Sequence, residues 1–277
     1  MKPVVSIVIP MYNAAQYIGC ALDAAVRQTY TEIEVIVVDD GSTDDSAKIV
    51  QANRDPRVRY IHQDNKGQSD ARNFGVEQST GSFIKILDAD DWINPTHIES
   101  QVNSLNGLTD HVASCRWGYF VDDFEQPAVN HEFTANDYED SVQRFIDSLT
   151  KDEGMMGGWM WLIPRKVWNK CGGYDDTLTL YNDVNFSARL MLAAAGVRFA
   201  PEAVYSYRRG VSTSMSVDRS TRTMESVFRA LDSAATAMLA ERDTPAVRRV
   251  FADRLQHWLY QFYPQFPDLA ERSERRI

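Results

Sequence analysis

Short runs rich in Val and Ile alternate with helical segments over the first hundred residues, and this alternation constrains the fold more than any other feature. The predicted strands are VVSIVI at 4–9, IEVIVVD at 33–39, VRYIH at 58–62 and SFIKIL at 82–87, with helices predicted between them at 14–28, 43–52 and 69–78. Such alternation is typical of βαβ units around a parallel sheet. The unbroken run at 35–38 indicates a strand covered on both faces. We therefore predict an α/β fold with a Rossmann-like, mostly parallel sheet flanked by helices.

The second half of the chain is less regular. Helices are predicted at 95–105, 138–149 and 183–195, and strands at 112–121 and 197–207. From 218 to 263 the pattern is helical with a break near Pro245, and the polar tail ERSERRI is expected to be frayed. The sequence thus predicts one α/β domain over residues 1–215 and a C-terminal helical extension over residues 216–277.

Composition excludes several classes of protein. A net charge of -10 argues against nucleic acid as a partner, because binding to a phosphate backbone usually needs a basic surface. The three cysteines form no CxxC pair, and the chain shows neither a membrane-spanning apolar stretch nor a signal-peptide cleavage pattern. We expect a cytoplasmic protein, with peripheral contact at the inner face of the membrane through WLYQFYPQF at 258–266 as an alternative to core packing. The sequence leaves the oligomeric state open.

Acidic side chains follow two of the predicted strands. Asp39 and Asp40 end the second strand, and Asp88, Asp90 and Asp91 follow the fourth. In open α/β sheets, ligands collect at the carboxyl ends of the strands. Three carboxylates within four residues repel one another unless a positive charge lies among them. A divalent cation such as Mg²⁺ or Mn²⁺, which prefers oxygen ligands and often binds together with substrate phosphates, would supply that charge.

Other polar or aromatic residues allow a structural interpretation beside a functional one. Asn13 could cap the first helix, and Ser42 with Asp45 fits a capping box. Trp159 and Trp161 are two residues apart and could present one face for stacking on an acceptor sugar ring, with core packing as the alternative.

Six segments carry a resemblance to a known family. In chain order they are VSIVIPMYNA, VVDDGSTD, KGQSDARNFGV, ILDADDW, GGYDDTL and YNDVNFSARL. Their order and spacing resemble the signatures of family 2 glycosyltransferases, over roughly residues 4–210. This resemblance implies a GT-A fold, with a nucleotide-binding half at 1–105 and an acceptor-binding half at 106–215.

The resemblance also implies roles for individual residues. Pro10, Tyr12 and Asp39 would line the nucleobase and ribose pocket, and Arg72 would lie near the phosphates or the sugar of the donor. Asp88 would lie near the ribose or donor sugar, and Asp90 would hold Mn²⁺ or Mg²⁺ on the diphosphate. The full set of donor-binding residues predicted in this way is Pro10, Tyr12, Asn13, Asp39, Asp40, Arg72, Asp88 and Ala89.

Asp183 aligns with the second residue of the family's acidic pair, which is the catalytic base of inverting members. The first residue of that pair is usually Glu, whereas this chain has Asn182. Asp183 could instead be a helix N-terminal acid favoured by the helix dipole. The loop YRRGVSTSMS resembles the family's diphosphate loop, in which Arg208 or Arg209 would replace the usual His, unless both are surface charges.

Taken together, the resemblance implies an inverting, metal-dependent glycosyltransferase. The donor would be a nucleotide-diphosphate sugar, with UDP favoured, and the acceptor a hydroxyl of a glycan, a lipid-linked molecule or a small molecule. Bacterial-type cell-surface polysaccharide or glycan synthesis is the expected setting. The alternative is a non-catalytic nucleotide-sugar binding module of the same fold.

Overall fold

The computed structural model describes residues 3–121, 135–150, 156–210 and 218–277, together with the backbone of 128–129. The strands are β1 Val5–Met11, β2 Ile33–Asp40, β3 Val58–Gln63, β4 Phe83–Ile86, β5 Trp92–Ile93, β6 Val112–Phe120, β7 Ala128–Val129, β8 Leu162–Pro164 and β9 Val197–Arg208. The helices are α1 Ile18–Val26, α2 Ser46–Ala52, α3 Gln68–Glu77, α4 His97–Leu105, α5 Ser141–Thr150, α6 Arg165–Cys171, α7 Asn182–Ala193, α8 Thr221–Glu241, α9 Pro245–Phe262 and α10 Pro267–Arg276.

The strands of the described residues form one sheet in the order β3-β2-β1-β4-β8-β6-β9-β5, with β7 paired to β6. The four strands from β3 to β4 are all parallel, as predicted. Beyond β4 the sheet is mixed, because β8 runs antiparallel to both β4 and β6, whereas β6 and β9 are parallel. The α/β fold with flanking helices is therefore confirmed. In the sheet, the mixed half lies beyond the short strand β8, which the sequence did not predict.

The register of the parallel strands brings their carboxyl ends to one edge. Met11 at the end of β1 lies beside Asp39 of β2, and Asp39 lies beside His62 of β3. Helix α3 packs on β1 and β2. A Cβ on Gly75 would lie 2.4 Å from a methyl group of Val8, so glycine is needed for this close approach. The close packing of α3 carries its polar first turns to the same edge.

The C-terminal helices extend this core. Helix α8 packs on α7, and α9 packs on α8. The hydroxyl of Ser226 in α8 accepts a hydrogen bond from the Thr179 amide at 2.8 Å and donates one to the Leu180 carbonyl at 2.9 Å, which fixes the loop that leads into α7. The predicted break near Pro245 is confirmed. None of the described helices combines the length and apolar character needed to cross a membrane.

The prediction that the tail ERSERRI is frayed is wrong. Helix α10 continues through Arg276, and its Leu269, Ala270 and Ser273 are buried. Arg272 forms two hydrogen bonds with Glu225 of α8, at 2.8 and 3.0 Å. The tail is too polar to show an apolar stripe, so packing on α9 and ion pairs with α8 stabilise a helix that the sequence pattern does not reveal.

Candidate functional site

A buried arginine joins the acidic loop after β4 to the start of α7. Arg72 of α3 is only 1% exposed, and its Nη2 contacts both carboxylate oxygens of Asp88, at 2.8 and 3.1 Å. Its Nη1 lies 3.5 Å from Oδ1 of Asp183. Asp88, which is predicted to touch the donor, and Asp183, the predicted base, therefore share one cation, although they are far apart in the sequence.

Asp183 lies in the first turn of α7, and its side chain is 31% exposed. Oδ1 accepts hydrogen bonds from the Gly158 amide and the Tyr174 hydroxyl, both at 3.1 Å. Among the described residues, none donates a hydrogen bond to Oδ2. Burial raises the pKa of Asp183 against the opposing effect of Arg72, and the negative charge of Asp88 raises it further. A carboxylate with a raised pKa and one available oxygen can accept a proton from a hydroxyl.

The acidic loop is held by the end of β9. The buried carboxylate of Asp91 accepts a hydrogen bond from the Tyr205 hydroxyl at 2.7 Å and another from the Arg208 amide at 2.8 Å. The Nε of Arg208 donates to the carbonyl of Asp90 at 2.9 Å. Burial, followed by repulsion from its acidic neighbours, raises the pKa of Asp91 well above the usual range. Asp91 and Arg208 thus fix the shape of the loop.

Asp90 differs from its neighbours, because no other described residue donates a hydrogen bond to its carboxylate. Burial and then repulsion from Asp88 raise its pKa to about 6. A carboxylate destabilised in this way is relieved by a nearby cation. The described residues contain no cluster of three or more acidic, His or Cys side chains able to hold a metal. The carboxylate of Asp90 can serve as one protein ligand beside oxygens of a substrate, the mode in which Mg²⁺ commonly binds, and binding of Mg²⁺ or Mn²⁺ by Asp90 stays a prediction.

Asp39 and Asp40 at the end of β2 have different surroundings. Asp39 accepts hydrogen bonds from the Ser42 amide at 2.8 Å and the Tyr60 hydroxyl at 2.6 Å. Burial opposes ionisation of Asp39, but these hydrogen bonds outweigh it and lower its pKa. Its contact with a nucleobase stays a prediction.

Asp40 is engaged by the residues that lead into α3. Its carboxylate is buried and accepts hydrogen bonds from the amides of Lys66 and Gly67, at 2.9 and 2.8 Å, and from Gln63 at 2.8 Å. These donors belong to the end of β3 and the loop that leads into α3. Asp40 therefore positions this loop and with it α3, and its contact with a donor stays a prediction.

The turns after β1 and β2 hold each other. The side-chain oxygen of Asn13 accepts a hydrogen bond from the Thr43 amide at 2.8 Å, and the Asn13 amide donates to the Ser42 hydroxyl at 3.0 Å. Neither Asn13 nor Ser42 caps a helix, so the capping alternatives are wrong. Tyr12 beside this pair is exposed, and Pro10 and Ala89 are buried. Contact of these residues with a donor stays a prediction.

The prediction that Trp159 and Trp161 stack on an acceptor sugar is corrected. Their side chains are 1% and 0% exposed. Trp159 lies in a 3₁₀ turn at Gly158–Met160, and its ring stacks on Tyr205 at 4.3 Å between centroids. The two residues do not share one strand, so the argument from their spacing fails, and both rings pack in the core.

Arg208 and Arg209 lie at the end of β9. The guanidinium of Arg208 packs between the rings of Tyr17 and Phe120, at 4.8 and 4.4 Å from their centroids. That of Arg209 lies over the ring of Tyr119. Residues 211–216 of the predicted diphosphate loop lie outside the described residues, as does the predicted domain boundary at 215. Phosphate binding by either arginine therefore stays a prediction.

Sequence reasoning missed several residues that shape the site. Tyr174, Gly158 and Tyr205 contact Asp183 or the acidic loop, and Asn73 holds Tyr174 in place. Tyr174 belongs to the GGYDDTL segment, so the signature did point to its neighbourhood. A Cβ on Gly158, in the 3₁₀ turn at Gly158–Met160, would lie 1.6 Å from the Tyr174 hydroxyl, so the need for glycine there becomes visible only in the structure.

Comparison with known proteins shows similarity to bacterial glycosyltransferases. An uncharacterized glycosyltransferase of Rickettsia bellii is 33% identical over 198 residues, which cover 70% of this chain and 28% of that protein. One of Rickettsia typhi is 34% identical over 183 residues, covering 66% of this chain and 57% of the relative. For uncharacterized glycosyltransferase EpsJ of Bacillus subtilis the identity is 28% over 223 residues, covering 75% and 62%. The chain thus spans less than two thirds of each of these relatives.

Among solved structures, that of S. aureus TarS in complex with UDP-GlcNAc is similar with a TM-score of 0.80. The match covers 100% of this chain and 82% of that structure. Because the identity is 18%, this similarity supports the fold alone. A family model described as Glycosyl transferase family 2 matches residues 6–172, which include the β1 to β4 half of the sheet and the acidic loop. The chain belongs to glycosyl transferase family 2.

Proposed function

We propose that this chain is an inverting glycosyltransferase that moves a sugar from a nucleotide-diphosphate donor to an acceptor hydroxyl. The observation that carries the proposal is the buried Arg72, which links Asp88 on the acidic loop to Asp183 at the start of α7. This link supports a donor site and a proton acceptor that meet at the carboxyl edge of the sheet. In open α/β sheets, this edge is where ligands bind.

Asp183 is the proposed general base. The acceptor hydroxyl is a weak nucleophile, and it attacks the anomeric carbon as its proton passes to Asp183. Oδ2 is the oxygen that would take this proton, since Oδ1 already accepts hydrogen bonds from Gly158 and Tyr174. Attack from the face opposite the diphosphate inverts the anomeric configuration in one displacement, and no covalent enzyme intermediate is needed.

Asp90 is the proposed protein ligand of Mg²⁺ or Mn²⁺. When bound, such an ion neutralises charge that develops on the diphosphate leaving group. The buried ion pair of Arg72 with Asp88 ties the acidic loop to α3, two residues before Asp90. The unengaged carboxylate of Asp90 and its pKa of about 6 support this role.

UDP is the proposed nucleotide, and the TarS structure with UDP-GlcNAc supports this choice at the level of a shared fold. We propose a hydroxyl of a glycan, a lipid-linked molecule or a small molecule as the acceptor, in bacterial-type cell-surface glycan synthesis. A cytoplasmic location, with peripheral contact at the inner membrane face, fits such acceptors.

Calorimetric titration with UDP, GDP and dTDP, each with and without Mn²⁺, tests the donor site. We expect one nucleotide to bind with metal and to lose this metal-dependent binding in Asp90→Ala. Asp253→Ala, which removes an exposed carboxylate of α9, is the matched control and should bind as the wild type does. Absence of binding for all three nucleotides would refute the donor site.

The catalytic role and the stereochemistry need separate measurements. Asp183→Asn should bind the nucleotide but lose transfer, whereas a non-catalytic binding module would show no transfer even in the wild type. Proton NMR of the product identifies the anomer. An inverted configuration agrees with the proposal, and a retained one contradicts it.

A further inference from the structure

Tyr174 contacts the proposed base directly, although it lies nine residues before it in the chain. We propose that the Tyr174 hydroxyl is a positioning group that holds Oδ1 of Asp183 and so presents Oδ2 to the acceptor hydroxyl. This inference rests on the proposed function, because it assigns a role in proton transfer. It adds a residue to the site that neither the acidic signature nor the buried arginine identifies.

Tyr174 is fixed at three places, two on its side chain and one on its backbone. Its hydroxyl donates to Oδ1 of Asp183 at 3.1 Å, and its ring stacks on Phe186 of α7 at 4.0 Å between centroids, with 6° between the ring planes. Its backbone amide donates to Oδ1 of Asn73, and its carbonyl accepts from Nδ2 of the same residue, both at 2.8 Å. These contacts fix the ring, and with it the hydroxyl oxygen, beside Oδ1 of Asp183.

This arrangement makes the two oxygens of Asp183 unequal. Oδ1 receives the Gly158 amide and the Tyr174 hydroxyl at equal distances of 3.1 Å, with Arg72 further away at 3.5 Å. Both close donors come from segments outside α7, so together they set the rotation of the carboxylate about its Cβ–Cγ bond. Without the hydroxyl, only the Gly158 amide would hold it closely.

The Tyr174 hydroxyl also affects the proton affinity of Asp183. Within the described part of the chain, the charged or titratable groups that face Asp183 are Arg72 from α3, Asp88 from the acidic loop, Tyr174 itself and Tyr207 from β9. Burial raises the pKa of Tyr174 well above its usual value, so its hydroxyl stays a donor over the working pH range. A hydrogen bond to the charged form lowers the pKa of a carboxyl group. Its loss must therefore raise the pKa of Asp183.

Tyr174→Phe tests the inference, because the ring that stacks on Phe186 remains. We expect kcat to fall about tenfold on the alkaline plateau, the usual scale for one hydrogen bond to a charged group. The acid limb of the kcat profile should move up by about one pH unit. The profile is measured with saturating UDP-sugar and Mn²⁺. Tyr30→Phe is the matched control, since it removes a buried hydroxyl that donates to the Pro3 carbonyl at the opposite edge of the sheet.

Each outcome decides a different claim. A lower plateau together with a shifted acid limb in Tyr174→Phe, and neither change in Tyr30→Phe, supports the positioning role. A uniform loss at every pH, or no loss at all, overturns it, because a purely structural contribution would leave the pH profile unmoved. Calorimetric binding of UDP with Mn²⁺ should be unchanged in Tyr174→Phe. If the wild type neither binds nucleotide nor transfers sugar, the proposed function itself fails.

Discussion

Arg72 shows how a single residue decides the properties of this site. A guanidinium buried to 1% exposure is costly to place in the interior, and here two carboxylates compensate it. Its Nε has no hydrogen-bond partner among the described residues, and its guanidinium lies 4.7 Å from the centroid of Tyr174. Such a group is retained at a structural cost, which agrees with a functional role for the carboxylates that it joins.

Replacement of Arg72 should therefore lower the stability of the folded chain. Arg72→Met leaves Asp88 and Asp183 without their shared cation, and we expect the free energy of unfolding to fall by about 3 to 5 kcal/mol. Urea unfolding followed by circular dichroism measures the loss. The control Arg27→Met breaks an exposed pair with Asp23 and should cost less than about 1 kcal/mol. Equal losses in the two variants would contradict the importance of the buried pair.

Among the elements, β4 supports the site through a buried lysine that holds a neighbouring turn. The Nζ of Lys85 donates to the carbonyl of Trp159 at 2.6 Å, and so holds the 3₁₀ turn whose Gly158 amide contacts Asp183. Burial lowers the pKa of Lys85 from 10.5 to about 8. A strand that is otherwise Phe and Ile thus carries one charge, which serves the neighbouring turn.

This lysine predicts a pH dependence of stability. Between pH 8 and 10.5 the unfolded chain binds more protons at Lys85 than the folded chain does, so stability increases with pH over this window. The difference in unfolding free energy between wild type and Lys85→Met should shift in favour of the wild type by about 2 to 3 kcal/mol from about pH 7 to about pH 10. Urea titrations at both pH values test this. Lys48→Met, at an exposed lysine, should show almost no such shift.

The elements differ in how far the sequence predicts them. β1 to β4 were predictable because Val and Ile dominate them, and α8 and α9 because their pattern is helical. β5 and β8 have only two and three residues and form through pairing with distant strands. Helix α10 depends on α8 for its partners.

In the site too, residues with a local sequence signal were predictable, and residues placed by distant contacts were not. The acidic residues were predictable from their places after strands and from the family resemblance. The Tyr174 and Gly158 contacts were not, because each arises from the packing of loops that local pattern does not describe. Trp159 was misassigned for a related reason, since a 3₁₀ turn does not alternate sides as a strand does.

At the scale of the whole molecule, the site lies between the parallel half of the sheet and the mixed half. Arg72 and Asp88 belong to the β1 to β4 side, whereas Asp183 and Tyr174 follow β8. Asn182 adds a further link, because its amide donates to the hydroxyl of Ser69 on α3 at 2.9 Å. A ligand at this junction should therefore stabilise the whole fold.

Donor binding should raise the unfolding free energy of the entire chain. Binding to the folded state alone adds about 2.7 kcal/mol at a ligand concentration 100 times Kd. We expect this gain with the nucleotide and Mn²⁺ together, and a smaller gain in Asp90→Ala at the same concentrations. Urea unfolding with and without ligand measures it. An equal gain in both proteins would speak against a metal ligand at Asp90.

The unequal oxygens of Asp183 also determine how the proposed base is reset after each turnover. A proton accepted by Oδ2 cannot be handed on through Oδ1, because donors from Gly158 and Tyr174 already occupy that side. The proposed base would release this proton to water from Oδ2, the same oxygen that accepts it, and the 31% exposure of the Asp183 side chain agrees with such a route.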